Sequence, residues 1–317
     1  MSRIDANSVN RPKTAPPEAP QGGREPLPVS PVQPVMLSLE ERFRFRCHKG
    51  IPCFNKCCEN TDILLTPYDV VRLKKRLDLS SRELIDRYTR DCELDAHGTP
   101  GLKLGHKEGS RACVFLGADG CSVYEERPAA CRYYALGMMS MRRKGSSADE
   151  DSYFVVKEDH CLGHLEPHEQ TVGEYRREQG LEPYDEANRE WRRIILKKRS
   201  TGPAVGRPSQ RSFELFFLAS YDIDGFRAFV ASEGFQQVFD LEPSYYMTLL
   251  SDEEELLRFA FRYQRQVLYG ESTIPLKKGS AAERAQRYKE KLAERAAQSD
   301  EERAKRQDDL YDSLLDP

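Results

Sequence analysis

Cys113-Val-Phe-Leu-Gly-Ala-Asp-Gly-Cys121-Ser-Val-Tyr-Glu-Glu-Arg-Pro-Ala-Ala-Cys131-Arg132 decides how this chain is read. Cys113-Val-Phe-Leu116 has the apolar run of a strand, Gly117-Ala-Asp-Gly120 supplies a hairpin turn, and Cys121-Ser-Val-Tyr124 returns. Arg127-Pro128 puts proline where a short helix begins, and that helix leads to Cys131. Working outward, Cys47, Cys53, Cys57 and Cys58 precede the stretch and Cys161 follows it. No cysteine lies beyond residue 161, so one half of the chain reads as a metal-binding module.

Composition limits what surrounds that module. Charged residues make up 32% and hydrophobic ones 38% of the 317 residues, so the core is modest and part of the chain is expected to be unpacked. The net charge of -3 gives no reason to expect nucleic acid. No apolar run approaches the roughly 20 residues that span a bilayer. Pro12, Pro16, Pro17 and Pro20 stand where a signal peptide needs an apolar segment, which places the protein in the cytoplasm. Disulfides are rare there, and an odd count of nine cysteines argues against a full disulfide framework. The ninth, Cys92, sits alone in Tyr88-Thr-Arg-Asp-Cys92-Glu and is read as an inert thiol at the end of a helix.

The expected fold class is α+β, in four parts. Residues 1–36 form a disordered Pro-rich head; residues 37–200 form the irregular cysteine-cluster domain; residues 201–270 form a helical block; residues 271–317 form a charged tail, helical or disordered. Phe43-Arg-Phe45-Arg-Cys47 alternates like a strand that delivers the first thiol, and Asp62-Ile-Leu-Leu65 is a second short strand. Thr66-Pro67 starts a helix with threonine as N-cap, and Ser80-Ser-Arg-Glu83 is a capping box for the next. Gly101–Gly105 and Tyr153–Lys157 read as strands, Thr171-Val-Gly-Glu174 as another capping box, and Glu186–Lys198 as a helix holding Trp191. The phenylalanines between Phe213 and Phe239 read as core, and Asp222 and Asp224 as a helix start rather than a calcium loop.

Thiolates suit zinc and iron–sulfur clusters, and four complete either kind of centre. Eight cysteines fill two such centres, or one with a reactive remainder. The chain has no Cys-x-x-Cys, so a zinc-ribbon knuckle and a thioredoxin motif are both excluded, and the bacterial ferredoxin run is absent. In an extended segment Cys57 and Cys58 would point to opposite sides and serve two centres; in a turn both could reach one cluster. Arg127 and Arg132 are expected to offset thiolate charge. Of the histidines, His160 is the best candidate ligand, ahead of His48 and His164.

These residues resemble the YkgJ-type cysteine cluster family, which is associated with zinc or iron chelation. Cys113, Phe115, Leu116, Cys121, Tyr124, Arg127, Pro128, Cys131 and Arg132 carry the resemblance, with Leu65-Thr66-Pro67 and Asp69 after the double cysteine. The opening departs from the family spacing, with five residues between Cys47 and Cys53 and three before Cys57. The resemblance implies that Cys47, Cys53, Cys57, Cys58, Cys113, Cys121, Cys131 and Cys161 hold zinc or an iron–sulfur cluster. The cluster is also similar to that of flagellin lysine methylases, which implies an iron–sulfur redox or methyl-transfer enzyme as an alternative. No nucleotide-binding loop accompanies it, and no residue is assigned to catalysis. A third reading is a metal-handling adaptor that docks on a protein partner through its helical half.

Overall fold

The structure, a computed structural model, describes residues 35–142, 149–200 and 209–280, with Gln286 and Glu290 beyond them. The expected Pro-rich head up to residue 34, the break at 201–208 and nearly all of the charged tail from 281 lie outside the described residues. The chain runs through β1 (Arg42–Arg44), α1 (Lys56–Glu59), β2 (Leu64–Leu65), α2 (Pro67–Leu77), α3 (Ser81–Tyr88), β3 (Thr89–Glu93) and β4 (Pro100–Leu104). The hairpin β5 (Leu116–Gly117) and β6 (Gly120–Cys121) follows, then α4 (Ala129–Tyr133), β7 (Leu136–Arg142), β8 (Asp149–Val155), β9 (Glu169–Thr171) and α5 (Val172–Glu178). The helical half comprises α6 (Glu182–Ser200), α7 (Gln210–Ser220), α8 (Ile223–Ala231), α9 (Glu233–Val238), α10 (Pro243–Ser251) and α11 (Glu253–Tyr269).

The class is α+β. The sheets are small and separate: β2-β4-β3, and the pairs β1-β9, β5-β6 and β7-β8, all antiparallel. Three helix starts form where their caps place them. Thr66, Ser80 and Thr171 each accept from the third residue of their helix, and Asp69, Glu83 and Glu174 bond back. Cys92 corrects the reading of a helix end. α3 stops at Tyr88 because the Thr89 hydroxyl and N–H both turn back to the Ile85 carbonyl. The chain then extends as β3, with Cys92 opposite Gly101. A side chain at Gly101 would strike Leu94 and the Cys92 sulfur, so glycine is required there.

Two hydrophobic cores result. The larger gathers Leu65, Val70, Leu73, Leu84, Leu102 and Phe115 with the helical half, including Trp191, Phe216, Phe226, Phe235 and Phe259. The Phe213–Phe239 rings are therefore mostly core, with Phe235 stacked on Phe239 at 4.4 Å. The smaller gathers Phe43, Phe45, Ala135, Leu136, Tyr153, Val155, Val172 and Tyr175. Among the described residues, no helix is long and apolar enough to cross a membrane.

Asp69 joins the pieces that carry the thiols. It is fully buried; one oxygen accepts from the Thr66 N–H and hydroxyl, the other from the Ala129 N–H at 2.8 Å. One carboxylate thus fixes the starts of α2 and α4, and α4 carries Cys131 in its first turn. Burial outweighs these donors and lifts the Asp69 carboxyl to about 6. A raised folded-state value means that stability present below about pH 4 is lost as pH rises through about 6. The difference in unfolding free energy between the wild type and Asp69→Asn should therefore shrink by about 2–3 kcal/mol over that window. Urea unfolding at pH 4 and pH 7 checks it; a difference that does not change with pH rejects the assignment.

Candidate metal centre

Residues 48–58 form a run of tight turns. The Ile51 N–H bonds to His48 O, Phe54 to Ile51, Lys56 to Cys53 and Cys58 to Asn55. Asn55 adopts the left-handed conformation (φ 69°) that asparagine tolerates, and so opens the single turn of α1. Gly120 also has positive φ (116°), and a side chain there would lie against the Phe54 ring, so this run packs on the β5–β6 turn. Because Cys57 and Cys58 are helical, their side chains do not point to opposite sides. Their sulfurs lie 3.9 Å apart. Zn–S bonds of about 2.3 Å would place tetrahedral sulfurs about 3.8 Å apart, so this pair is spaced as one edge of such a shell.

The remaining thiols fall on either side of that pair. Cys47, Cys53, Cys57 and Cys161, with His160, Phe45, Ile51, Tyr134 and Gly163, line a small cavity of ≈ 20 Å³. That is room for one water-sized species and not for an organic molecule. The Leu162 N–H donates to the Cys53 sulfur at 3.2 Å, and the Gly163 N–H favours the Cys161 thiolate. On the other side Cys113, Cys121 and Cys131 neighbour one another and Cys57. Cys113 is buried in the larger core, with Cys58 and Cys121 packed against that core. The Cys113 N–H bonds to Cys58 O at 2.8 Å, the Phe115 N–H to the Cys113 sulfur at 3.4 Å, and the Val123 N–H favours the Cys121 thiolate. Cys113–Leu116, expected as a strand, is a tight turn up to Leu116, because Leu116 N–H closes onto Cys113 O. That turn is what aims an amide at the sulfur.

The thiols sense one another. Crowding by neighbouring groups desolvates Cys47, although its surface is exposed, and pushes it up to about 11, helped by charge on Cys57, Cys53 and Cys161. Contact with Cys58, then burial, pushes Cys57 up. Burial raises Cys131, with charge on Cys113, Asp69, Cys121 and Cys57 adding to it. Cys113, Cys121 and Cys161 are raised as well, burial first. Alone, these groups hold their protons at neutral pH; a cation among them would displace the protons and convert repulsion into ligation. Among the described residues, no three His, Cys, Asp or Glu side chains are drawn together as a finished coordination shell. The sulfurs are gathered without being closed onto a point. Soft donors, amides aimed at sulfur and an ion-sized cavity nevertheless fit zinc or iron. Cys92 stands apart, with Lys103 and Arg90 as its charged neighbours and no other thiol among them.

The arginines divide. Arg127 lies over the Tyr124 ring and donates to Tyr124 O and Gln179, while its charge favours the Cys47 and Cys121 thiolates. Arg132 corrects the expectation. It is buried and donates to the backbone carbonyls of Arg127, Gln179 and Glu125, with its plane 4.4 Å from the Tyr184 ring. Four of its five N–H donors go to backbone carbonyls and the Tyr184 hydroxyl, so it clamps the turn before α4 rather than the sulfurs. His48 accepts from Gly50 N–H and meets Glu166, and both nitrogens of His164 face carbonyls of Arg44 and Val156. Only His160 borders the cavity. Tyr134 was not anticipated. Its hydroxyl is buried beside Glu158 and Cys161, and burial followed by hydrogen bonding to those two groups makes it harder to ionise. Its position one residue beyond the hairpin-to-helix motif carries no signal in the sequence.

Residues 46–162 match the CxxCxxCC family model, described as "Putative zinc- or iron-chelating domain". This segment is similar to that domain. It includes all eight clustered thiols and the cavity between Cys47 and Cys161. No curated protein and no solved structure matches the chain. Within the matched segment the two arginines should separate by assay. Arg132→Lys should lower unfolding free energy by about 2–3 kcal/mol while leaving metal per folded chain unchanged. Arg127→Gln should weaken metal retention by about tenfold in competition with a chelator. The reverse pattern would return Arg132 to the metal's surroundings.

Proposed function

We propose that the chain is a YkgJ-type metal chelator that holds zinc or iron, as single ions or as an iron–sulfur cluster, through cysteine thiolates alone. The observation that carries this reading is the ion-sized cavity lined by Cys47, Cys53, Cys57 and Cys161, with Cys58 in contact with Cys57 and with Cys113, Cys121 and Cys131 within reach of the charge on Cys57. Such a cavity suits binding of an ion rather than turnover of an organic substrate. The chelation is supported further by the amides directed at Cys53 and Cys113, which stabilise charge on sulfur without competing for the metal. The metal would also tie together the larger and the smaller core, against both of which thiols pack, and so contribute to folding. The reducing cytoplasm is where nine free thiols of this kind persist.

Metal and acid-labile sulfide content, with a visible spectrum, on protein purified without oxygen tests the proposal. The expected result is zinc or iron retained by the folded chain and lowered by Cys131→Ser and by Cys161→Ser. Iron with matching sulfide and a brown colour identifies a cluster; a colourless, zinc-loaded protein identifies single ions. Failure to retain either metal, as purified or after reconstitution, overturns the reading.

A further inference from the structure

Tyr134 borders the cavity that Cys47, Cys53, Cys57 and Cys161 line, and it is held there on several sides. Its carbonyl accepts from the buried Tyr175 hydroxyl, which ties the end of α4 to α5. The Phe45 ring meets its ring edge-on, with centroids 6.3 Å apart. Tyr134 and Cys161 both pack against the smaller core, and Ala135, next in the chain, is fully buried in it. The hydroxyl oxygen is shut off from solvent beside Cys161 and Glu158. Those two groups share one turn, because the Cys161 N–H closes onto Glu158 O at 2.8 Å. Gly163 continues the segment, and its N–H favours the Cys161 thiolate, as the Tyr134 hydroxyl does. A side chain at Gly163 would strike the Phe45 ring and Arg46 O, so this wall of the cavity is closely packed.

We infer that Tyr134 is a positioning residue for chelation: its hydroxyl donates to the Cys161 sulfur when that thiol gives up its proton to an ion. The inference rests on the chelation reading above and adds to it a side chain that is not itself a ligand. A ligating thiolate still carries charge, and where water is excluded a donor fixed in place supports that charge better than a mobile one. The amides directed at Cys53 and Cys161 belong to the backbone, so any sequence that takes this turn supplies them; the hydroxyl depends on tyrosine. Glu158 is the competing acceptor. Its carboxylate is partly exposed and meets His160 at 3.7 Å, so water and imidazole can serve it without the tyrosine. Phenylalanine at 134 would fill the same space against Phe45 and the smaller core, and would remove the hydroxyl proton from Cys161.

The test uses the full chain loaded with cobalt(II) without oxygen in reducing buffer. Tyr134→Phe should weaken cobalt retention about tenfold in competition with a chelator. It should also move the sulfur-to-cobalt charge-transfer band to lower energy, because a sulfur that loses a hydrogen bond gives up its electrons more readily. In a Cys161→Ala background the same change should cost less than about twofold, since the sulfur it acts through is gone. In a Glu158→Gln background the tenfold loss should persist. A loss of equal size without Cys161, a loss that vanishes with Glu158→Gln, or wild-type retention and spectrum in Tyr134→Phe each overturns the inference while leaving chelation intact. If Cys161→Ala holds no cobalt, the band of Tyr134→Phe decides: a shift supports the inference and an unmoved band overturns it. A wild-type chain that binds neither cobalt nor zinc overturns the chelation reading, and the role of Tyr134 falls with it.

Discussion

Thiols brought this close together repel as thiolates, and the structure is organised around that constraint. The Cys57 sulfur touches that of Cys58, and charge on Cys57 is felt by Cys47 and Cys161 on one side and by Cys113, Cys121 and Cys131 on the other. Without a cation that repulsion favours protonated thiols. With one, proximity becomes ligation. The rest of the N-terminal half serves to bring these sulfurs to one seam, with one hydrophobic core as a wall on each side.

Two buried polar side chains make that delivery rigid. Asp69 ties the starts of α2 and α4 together, and Arg132 ties the turn before α4 to the end of α5 through Gln179. Neither meets sulfur through a hydrogen bond. Each satisfies backbone groups that a short, irregular segment cannot pair by itself, and an unpaired buried group of that kind costs about 1–3 kcal/mol. The turn that carries Cys121 and Cys131 can therefore stay compact without a sheet of its own. The helical half adds the mass of the larger core behind α2 and α3.

Local chemistry made part of this legible in advance. Thr66, Ser80 and Thr171 announce helix starts because capping is a contact across three residues, and Gly117–Gly120 announces a hairpin for the same reason. The metal-binding character of the cysteine-rich half was equally legible, since soft ligands at this density and in an odd number point to chelation rather than to a disulfide framework. What was not legible is decided at long range. β7 reads Leu-Gly-Met-Met-Ser-Met-Arg, with little alternation, and forms because it pairs with β8 and because Gly137 lets the Phe154 ring lie flat against it. Cys92 passed for a helix end because pairing with β4 is invisible from Tyr88–Glu93 alone. Arg132 passed for a charge partner of sulfur because its three carbonyl acceptors lie on segments far apart in the chain. That the Cys57 and Cys58 sulfurs meet required knowing that 48–58 folds as turns rather than as an extended strand.

The central claim is that sulfur alone binds the metal. X-ray absorption at the edge of the retained metal tests it most directly. The account predicts a first shell of sulfur at about 2.3 Å with no lighter scatterer. A shell of nitrogen or oxygen at about 2.0–2.1 Å would contradict it and would move the site away from these cysteines.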